Sequence, residues 1–179
     1  MPEGTIAVIG GAGRMGTALI DGLVTAGEFA PEDVIATARH TRSLDRLGDR
    51  GVRRTADNVE ATRGASVVVL AVHPTDMDEV LTQLAPEFGD DTLVLSIVTG
   101  ATLAKIQGAL GRDLAVVRAT PNIAAVVGSS MTAICGGAHA SAQHLDRQPG
   151  QVLPEPGGRA KRGPLTQAPS QAQVPHVPA

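Results

Sequence analysis

The chain has 179 residues, 42% of them apolar, with two Phe, no Trp or Tyr and a net charge of −3; it suits one domain with an aliphatic core. That charge and the shortage of aromatic stacking surfaces exclude nucleic acid as a partner. No apolar run reaches the ~18 residues that cross a bilayer, no basic-then-apolar leader opens the chain, and Cys135 is the single cysteine, so the expected setting is the reducing cytoplasm, away from membranes.

Thr5 to Gly16, TIAVIGGAGRMG, predicts a short strand, a glycine turn and a helix. Ile6, Val8 and Ile9 are β-branched, and Gly11-x-Gly13-x-x-Gly16 fits the pattern G-x-G-x-x-G. In that pattern one glycine permits a tight turn, one lets the backbone approach a pyrophosphate, and one packs helix against strand. The helix then turns its unpaired N–H groups and positive dipole end toward the phosphates. Gly11, Gly13, Arg14, Met15 and Gly16 are therefore candidate cofactor contacts.

Met15, Leu19, Leu23 and Ala26 continue at helical spacing. Val34 to Ala38 predicts a second strand and Leu44 to Leu47 a short helix. Asp57-x-x-Glu60 resembles a capping box that opens another helix. Ser66 to Val72, SVVVLAV, is the near-continuous apolar run of a strand covered on both faces. Thr75-x-x-Asp78 is expected to cap a helix carrying Met77, Val80, Leu81 and Leu84. Leu93 to Ile97 predicts a strand, Thr102 the cap of a helix with Leu103, Ile106 and Leu110, and Val116–Val117 a further strand. Strands alternating with helices imply an α/β, Rossmann-type, doubly wound and mostly parallel sheet, with ligands at the carboxyl ends of the strands.

Residues 1–146 form the expected cofactor-binding domain. Beyond them, Arg147 to Ala179 holds seven of the twelve prolines and five of the eight glutamines, one acidic residue and four Lys or Arg, with no apolar periodicity. Such a stretch cannot offset an ordering entropy of about 1–2 kcal/mol per residue, and a disordered tail is expected.

An NAD site usually carries an acid about 20 residues past the glycine turn, bonded to the ribose 2′-OH. Here the second strand ends Thr37-Ala38-Arg39-His40-Thr41-Arg42, with no acid. Arg39 and Arg42 would instead suit a 2′-phosphate, with Thr37 or Thr41 donating a hydroxyl hydrogen bond, so NADP(H) is the expected cofactor.

Residues Ile6 to His144 resemble the pyrroline-5-carboxylate reductases, the last enzymes of proline synthesis. The resemblance lies in IGGAGRMGTALIDGL, in ADNVEAT around Asn58, in LAVHP at Leu70 to Pro74, in SIVTGATL at Ser96 to Leu103, and most specifically in VVRATPNIAAVVGSSMTAI at Val116 to Ile134. It implies an NADPH-dependent oxidoreductase that reduces 1-pyrroline-5-carboxylate, a small cyclic imino acid. It also implies that Asn58 contacts the adenosine, that Ala71, Val72, His73 and Pro74 line the ribose and phosphate path, that Thr99 and Gly100 lie near the nicotinamide, and that Pro121 and Asn122 shape the floor beneath it.

The departures carry expectations of their own. His73 stands where that family has lysine, Arg14 replaces a polar residue, and Gly10 or Gly11 is an extra glycine in the turn. The helical domain that forms the family's dimer and holds the substrate carboxylate has no counterpart after Leu145. A truncated or frame-shifted product with impaired activity is the resulting expectation. No catalytic acid or nucleophile stands out. Cys135 has no basic neighbour to activate it, His139 and His144 lack a third metal ligand, and Asp90 and Asp91 read as a solvated pair. Two alternatives to the reductase remain: a non-catalytic NADP-binding remnant, and an F420-dependent NADP reductase-like protein, against which Pro121-Asn122 argues.

Overall fold

Strand β1 (Thr5–Ile9) buries Ile6 and Val8 in one apolar cluster and Ala7 and Ile9 in another. That period-two division is what a strand covered on both faces requires. The structure is a computed structural model and describes residues 4–48, 50–121 and 132–141. The same alternation runs through β2 (Val34–Thr37) and β4 (Ala65–Leu70), where Val34, Ala36 and Val69 face one cluster and Ile35, Val68 and Leu70 the other. The remaining strands are β3 (Arg53–Thr55), β5 (Leu93–Ser96), β6 (Ala115–Pro121) and β7 (Thr132–Gly136).

They form one seven-stranded sheet in the order β3-β2-β1-β4-β5-β6-β7. Every neighbouring pair is parallel except β6–β7, where Arg118 stands opposite Cys135. Helix α1 (Arg14–Thr25) covers one face through Ile20, beside Leu44 at the end of α2 (Thr41–Leu44) and Leu47. Three helices cover the other: α3 (Asn58–Thr62), α4 (Met77–Leu84) and α5 (Leu103–Leu110). Leu81, Leu84 and Ile106 there are fully buried, and each such side chain contributes roughly 1.5–3 kcal/mol. The chain crosses from β3 back to β4, so the order of strands reverses beside β1. That is the switch point where a doubly wound sheet opens a crevice at its carboxyl edge.

Several local expectations change. Gly16 and Ile20 are the buried positions of α1, with Leu19 and Leu23 packed half-buried against the same cluster, while Met15 is only half-buried and Ala26 is exposed at the C-cap. β2 stops at Thr37, β4 at Leu70 and β5 at Ser96, each earlier than the apolar run suggests. Leu44 to Leu47 divides into the end of α2 and a 3-10 turn. Thr75 does not cap α4. It lies inside a 3-10 turn (Pro74–Asp76) whose capping acceptor is the His73 side chain. Asp57 does cap α3, accepting from the N–H groups of Val59 and Glu60. The return arm of the box passes through Thr55, whose hydroxyl donates to Glu60 (2.6 Å) and accepts from the Asp57 N–H (3.1 Å). Thr102 caps α5 as expected, by accepting from Lys105 N–H. Asp90 is ion-paired with Arg112 rather than merely solvated.

β3 and β7 were not expected. β3 is a three-residue edge strand, RRT, with no apolar face; β7 turns back antiparallel on β6. No helix among the described residues is long and apolar enough to cross a membrane. Asn122, His144 and the tail from 147 to 179 lie outside the described residues.

Candidate functional site

The loop after β1 is built by contacts only glycine allows. Gly10 sits at φ 81° with the Ala71 carbonyl oxygen 2.7 Å from where a Cβ would stand, and Val72 Cγ1 at 3.2 Å. The left-handed backbone and the close carbonyl both demand glycine. Gly11 is wedged against Ala36 and the Val8 carbonyl. A Cβ at Gly16 would meet Gly10 O and Gly11 Cα at 2.7 Å, so this glycine seats α1 on the turn. Gly13 differs: it is exposed, at φ −74°, and a Cβ there would meet only Gly10 O, at 3.2 Å. Among the described residues no side chain caps α1 at Gly13, and the N–H groups that open the helix, from Arg14 and Met15 onward, have no capping acceptor. They form a positively polarised end beside an unobstructed glycine.

Thr37, at the end of β2, holds this turn in place. The Thr37 carbonyl accepts from Ala12 N–H (3.4 Å), and its hydroxyl accepts from Gly10 N–H (3.1 Å) while donating to Asn58 Oδ1 (2.7 Å). Thr37 is fully buried. Its one hydroxyl proton is therefore committed to Asn58, which corrects the expectation that it donates to a cofactor. It couples the glycine turn to α3 instead, leaving the Asn58 amide nitrogen as the donor. Thr37→Val is expected to lower unfolding free energy by about 1–2 kcal/mol, the cost of stranding partly buried polar groups, and Thr37→Ser to recover most of it. Urea unfolding measures this, and an unchanged Thr37→Val midpoint would show that the two bonds add nothing.

Arg39 also departs from expectation. Its Nη2 lies 2.7 Å from Asp76 Oδ2, on the loop after β4. That hydrogen bond, together with the carboxylate charge, raises the guanidinium pKa further above its ordinary value. The hydrogen bond from Arg39 likewise holds the Asp76 carboxyl below the usual range, with its charge, the Thr75 hydroxyl and His73 adding to the effect against some burial. Arg42 is exposed on α2 and has no ion pair among the described residues. The side chain of Thr41 is outside what the structure describes. His73 Nδ1 lies 2.8 Å from the Thr75 hydroxyl and caps its own turn by accepting from the Thr75 N–H at 3.4 Å.

The carboxyl edge thus brings together Gly10–Gly16, Thr37, Arg39, Asn58, Ala71, Val72 and the His73-Pro74 turn. Thr99 and Gly100 stand exposed on the loop after β5, next in the sheet beyond β4. Pro121 ends β6 at the same edge. Asp76 and the structural role of Gly10 were missed by sequence reasoning; the glycine pair at 10–11 was a usable signal, whereas nothing near Asp76 points to residue 39. Among the described residues no group of three or more His, Cys, Asp or Glu gathers as metal ligands. His139 instead lies 3.3 Å from Asp113. Cys135 is buried, with Sγ 3.8 Å from the Arg118 carbonyl.

Residues 5–100 match the family model described as NADP oxidoreductase coenzyme F420-dependent. The chain is 36% identical over 136 residues to a pyrroline-5-carboxylate reductase of Methanosarcina acetivorans, covering 75% of this chain and 50% of that protein. With the same enzyme of Synechocystis it shares 39% identity over 130 residues, 72% of this chain and 48% of that one. The solved pyrroline-5-carboxylate reductase of Coxiella burnetii superposes with a TM-score of 0.76 at 30% identity, over 81% of this chain and 54% of that one. The chain spans about half the length of the curated relatives it matches.

Proposed function

The chain belongs to the pyrroline-5-carboxylate reductase family, through a domain of the NADP oxidoreductase, coenzyme F420-dependent, family over residues 5–100, and we propose that it binds NADP(H) as the cofactor half of such a reductase. The observation that carries the reading is the uncapped start of α1 beside Gly13, flanked by Arg39 where an NAD site has an acid. The α1 N–H groups hold the pyrophosphate. Thr37 orients Asn58 toward the adenosine, and Arg39 with Arg42 takes the 2′-phosphate. Ala71, Val72, His73 and Pro74 line the path inward to Thr99 and Gly100, with Pro121 at the end of β6 on the nicotinamide side. A bound nicotinamide cofactor supplies the hydride that reduces the carbon–nitrogen double bond of 1-pyrroline-5-carboxylate, a proton adding at nitrogen.

The cofactor assignment is tested by calorimetry with NADPH and NADH. NADPH is expected to bind roughly tenfold or more tightly, on the scale of a charge-assisted hydrogen bond. The Arg39→Ala/Arg42→Ala variant should lose that margin while keeping its NADH affinity. Equal affinities in the unsubstituted chain would overturn the NADP(H) reading.

A further inference from the structure

The strand order β2-β1-β4 sets the loops after β2 and β4 on either side of the glycine turn that follows β1. Arg39 comes from one loop and Asp76 from the other, so their 2.7 Å ion pair reaches across the end of β1. We propose that Asp76 is a specificity-determining residue whose carboxylate competes with the cofactor 2′-phosphate for the Arg39 guanidinium, holding the preference for NADPH below what the arginines alone would give. The inference rests on the reading of Arg39 as the 2′-phosphate ligand.

Three observations carry it. Carboxylate and phosphate oxygens are the same kind of acceptor for a guanidinium, which binds either through parallel N–H groups. Asp76 occupies the N-cap position of α4, where an aspartate ordinarily accepts from its own helix, yet it makes no side-chain cap bond there. Its carboxylate is drawn instead to Arg39 and also accepts from the Thr75 hydroxyl, at 3.3 Å. Glu79, in the first turn of α4, is a second carboxylate that attracts Arg39. A 2′-phosphate arriving at Arg39 therefore displaces one anion and approaches another. The Arg39 side chain is 67% exposed, so it is accessible from solvent when the pair opens.

The test is titration of the whole chain with NADPH and with NADH, for the unsubstituted protein, Asp76→Asn, Arg39→Ala and the double variant. Asp76→Asn removes the charge and retains a side chain suited to the N-cap position. It is expected to tighten NADPH roughly three- to fivefold, the scale of an exposed charge pair, to leave NADH unchanged, and to lose its effect in the Arg39→Ala background. Unchanged or weaker NADPH binding in Asp76→Asn would overturn the proposal, making Asp76 an ordinary surface partner or a support that aligns Arg39. If Arg39→Ala alone leaves NADPH affinity intact, the assignment of Arg39 as ligand fails first. A tightening equal for both cofactors would likewise count against competition, since only NADPH carries the phosphate.

Discussion

Given NADPH and 1-pyrroline-5-carboxylate, the 179-residue chain is expected to oxidise the cofactor many orders of magnitude more slowly than a full-length relative at equal cofactor occupancy. Imine reduction needs the substrate carbon held about 3–3.5 Å from the nicotinamide, and such positioning accounts for about 7–11 kcal/mol of a barrier. Thr99 and Gly100, proposed to lie near the nicotinamide, carry no charge that could anchor a carboxylate. Arg39 and Arg42 stand on the far side of the glycine turn, after β2, whereas Arg118 lies within β6, in register with Ser96. Binding and turnover are therefore expected to separate: cofactor titrates normally while its absorbance falls hardly faster than in buffer. A rate within about tenfold of the relative would mean that self-association, or residues beyond those described, supplies the anchor. Slow turnover with intact binding also fits the non-catalytic reading, and adding the C-terminal half of a relative in trans tells the two apart by whether the rate rises.

Gly16→Ala is expected to cost about 3 kcal/mol of stability and to abolish cofactor binding, whereas Gly13→Ala should keep the fold and lose at least tenfold in cofactor affinity. At Gly16 the new methyl lies 2.7 Å from Gly10 O and Gly11 Cα and 2.8 Å from Gly11 O. Those atoms are backbone and are held by the bonds from Thr37, so α1 must lift from the turn. A loss of that size is a large part of the 5–15 kcal/mol that usually holds a domain together. At Gly13 the backbone is ordinary extended chain and the methyl meets a single protein atom at 3.2 Å. Its obstruction falls on whatever approaches the start of α1. Denaturant unfolding and NADPH titration on both variants give the comparison. An unchanged midpoint for Gly16→Ala would show that the turn repacks, and unchanged affinity for Gly13→Ala would remove Gly13 from the cofactor contacts.

The residues around β1 and β4 show why the sheet was legible in one dimension. A strand buried on both faces needs uninterrupted apolar residues, and Ile6–Ile9 and Val67–Leu70 provide them within a few positions. The glycine turn was readable for the same reason, since Gly13 and Gly16 act on backbone only a few residues away. Boundaries shifted where a polar contact ended a strand. β2 ends at Thr37, whose carbonyl accepts from Ala12 N–H and whose hydroxyl bridges Gly10 and Asn58.

The sequence by itself determined the alternation of strands and helices, the glycine turn at the head of α1 and the absence of an acid after β2, because each is a property of residues adjacent along the chain. Only the tertiary structure decided that Arg39 meets Asp76, that Thr37 reaches Asn58, that RRT completes an edge and that β7 returns antiparallel. A guanidinium or a hydroxyl accepts any partner of suitable chemistry within reach, and reach here is set by strand order. Residues 37 positions apart become neighbours because β2 and β4 flank the same strand.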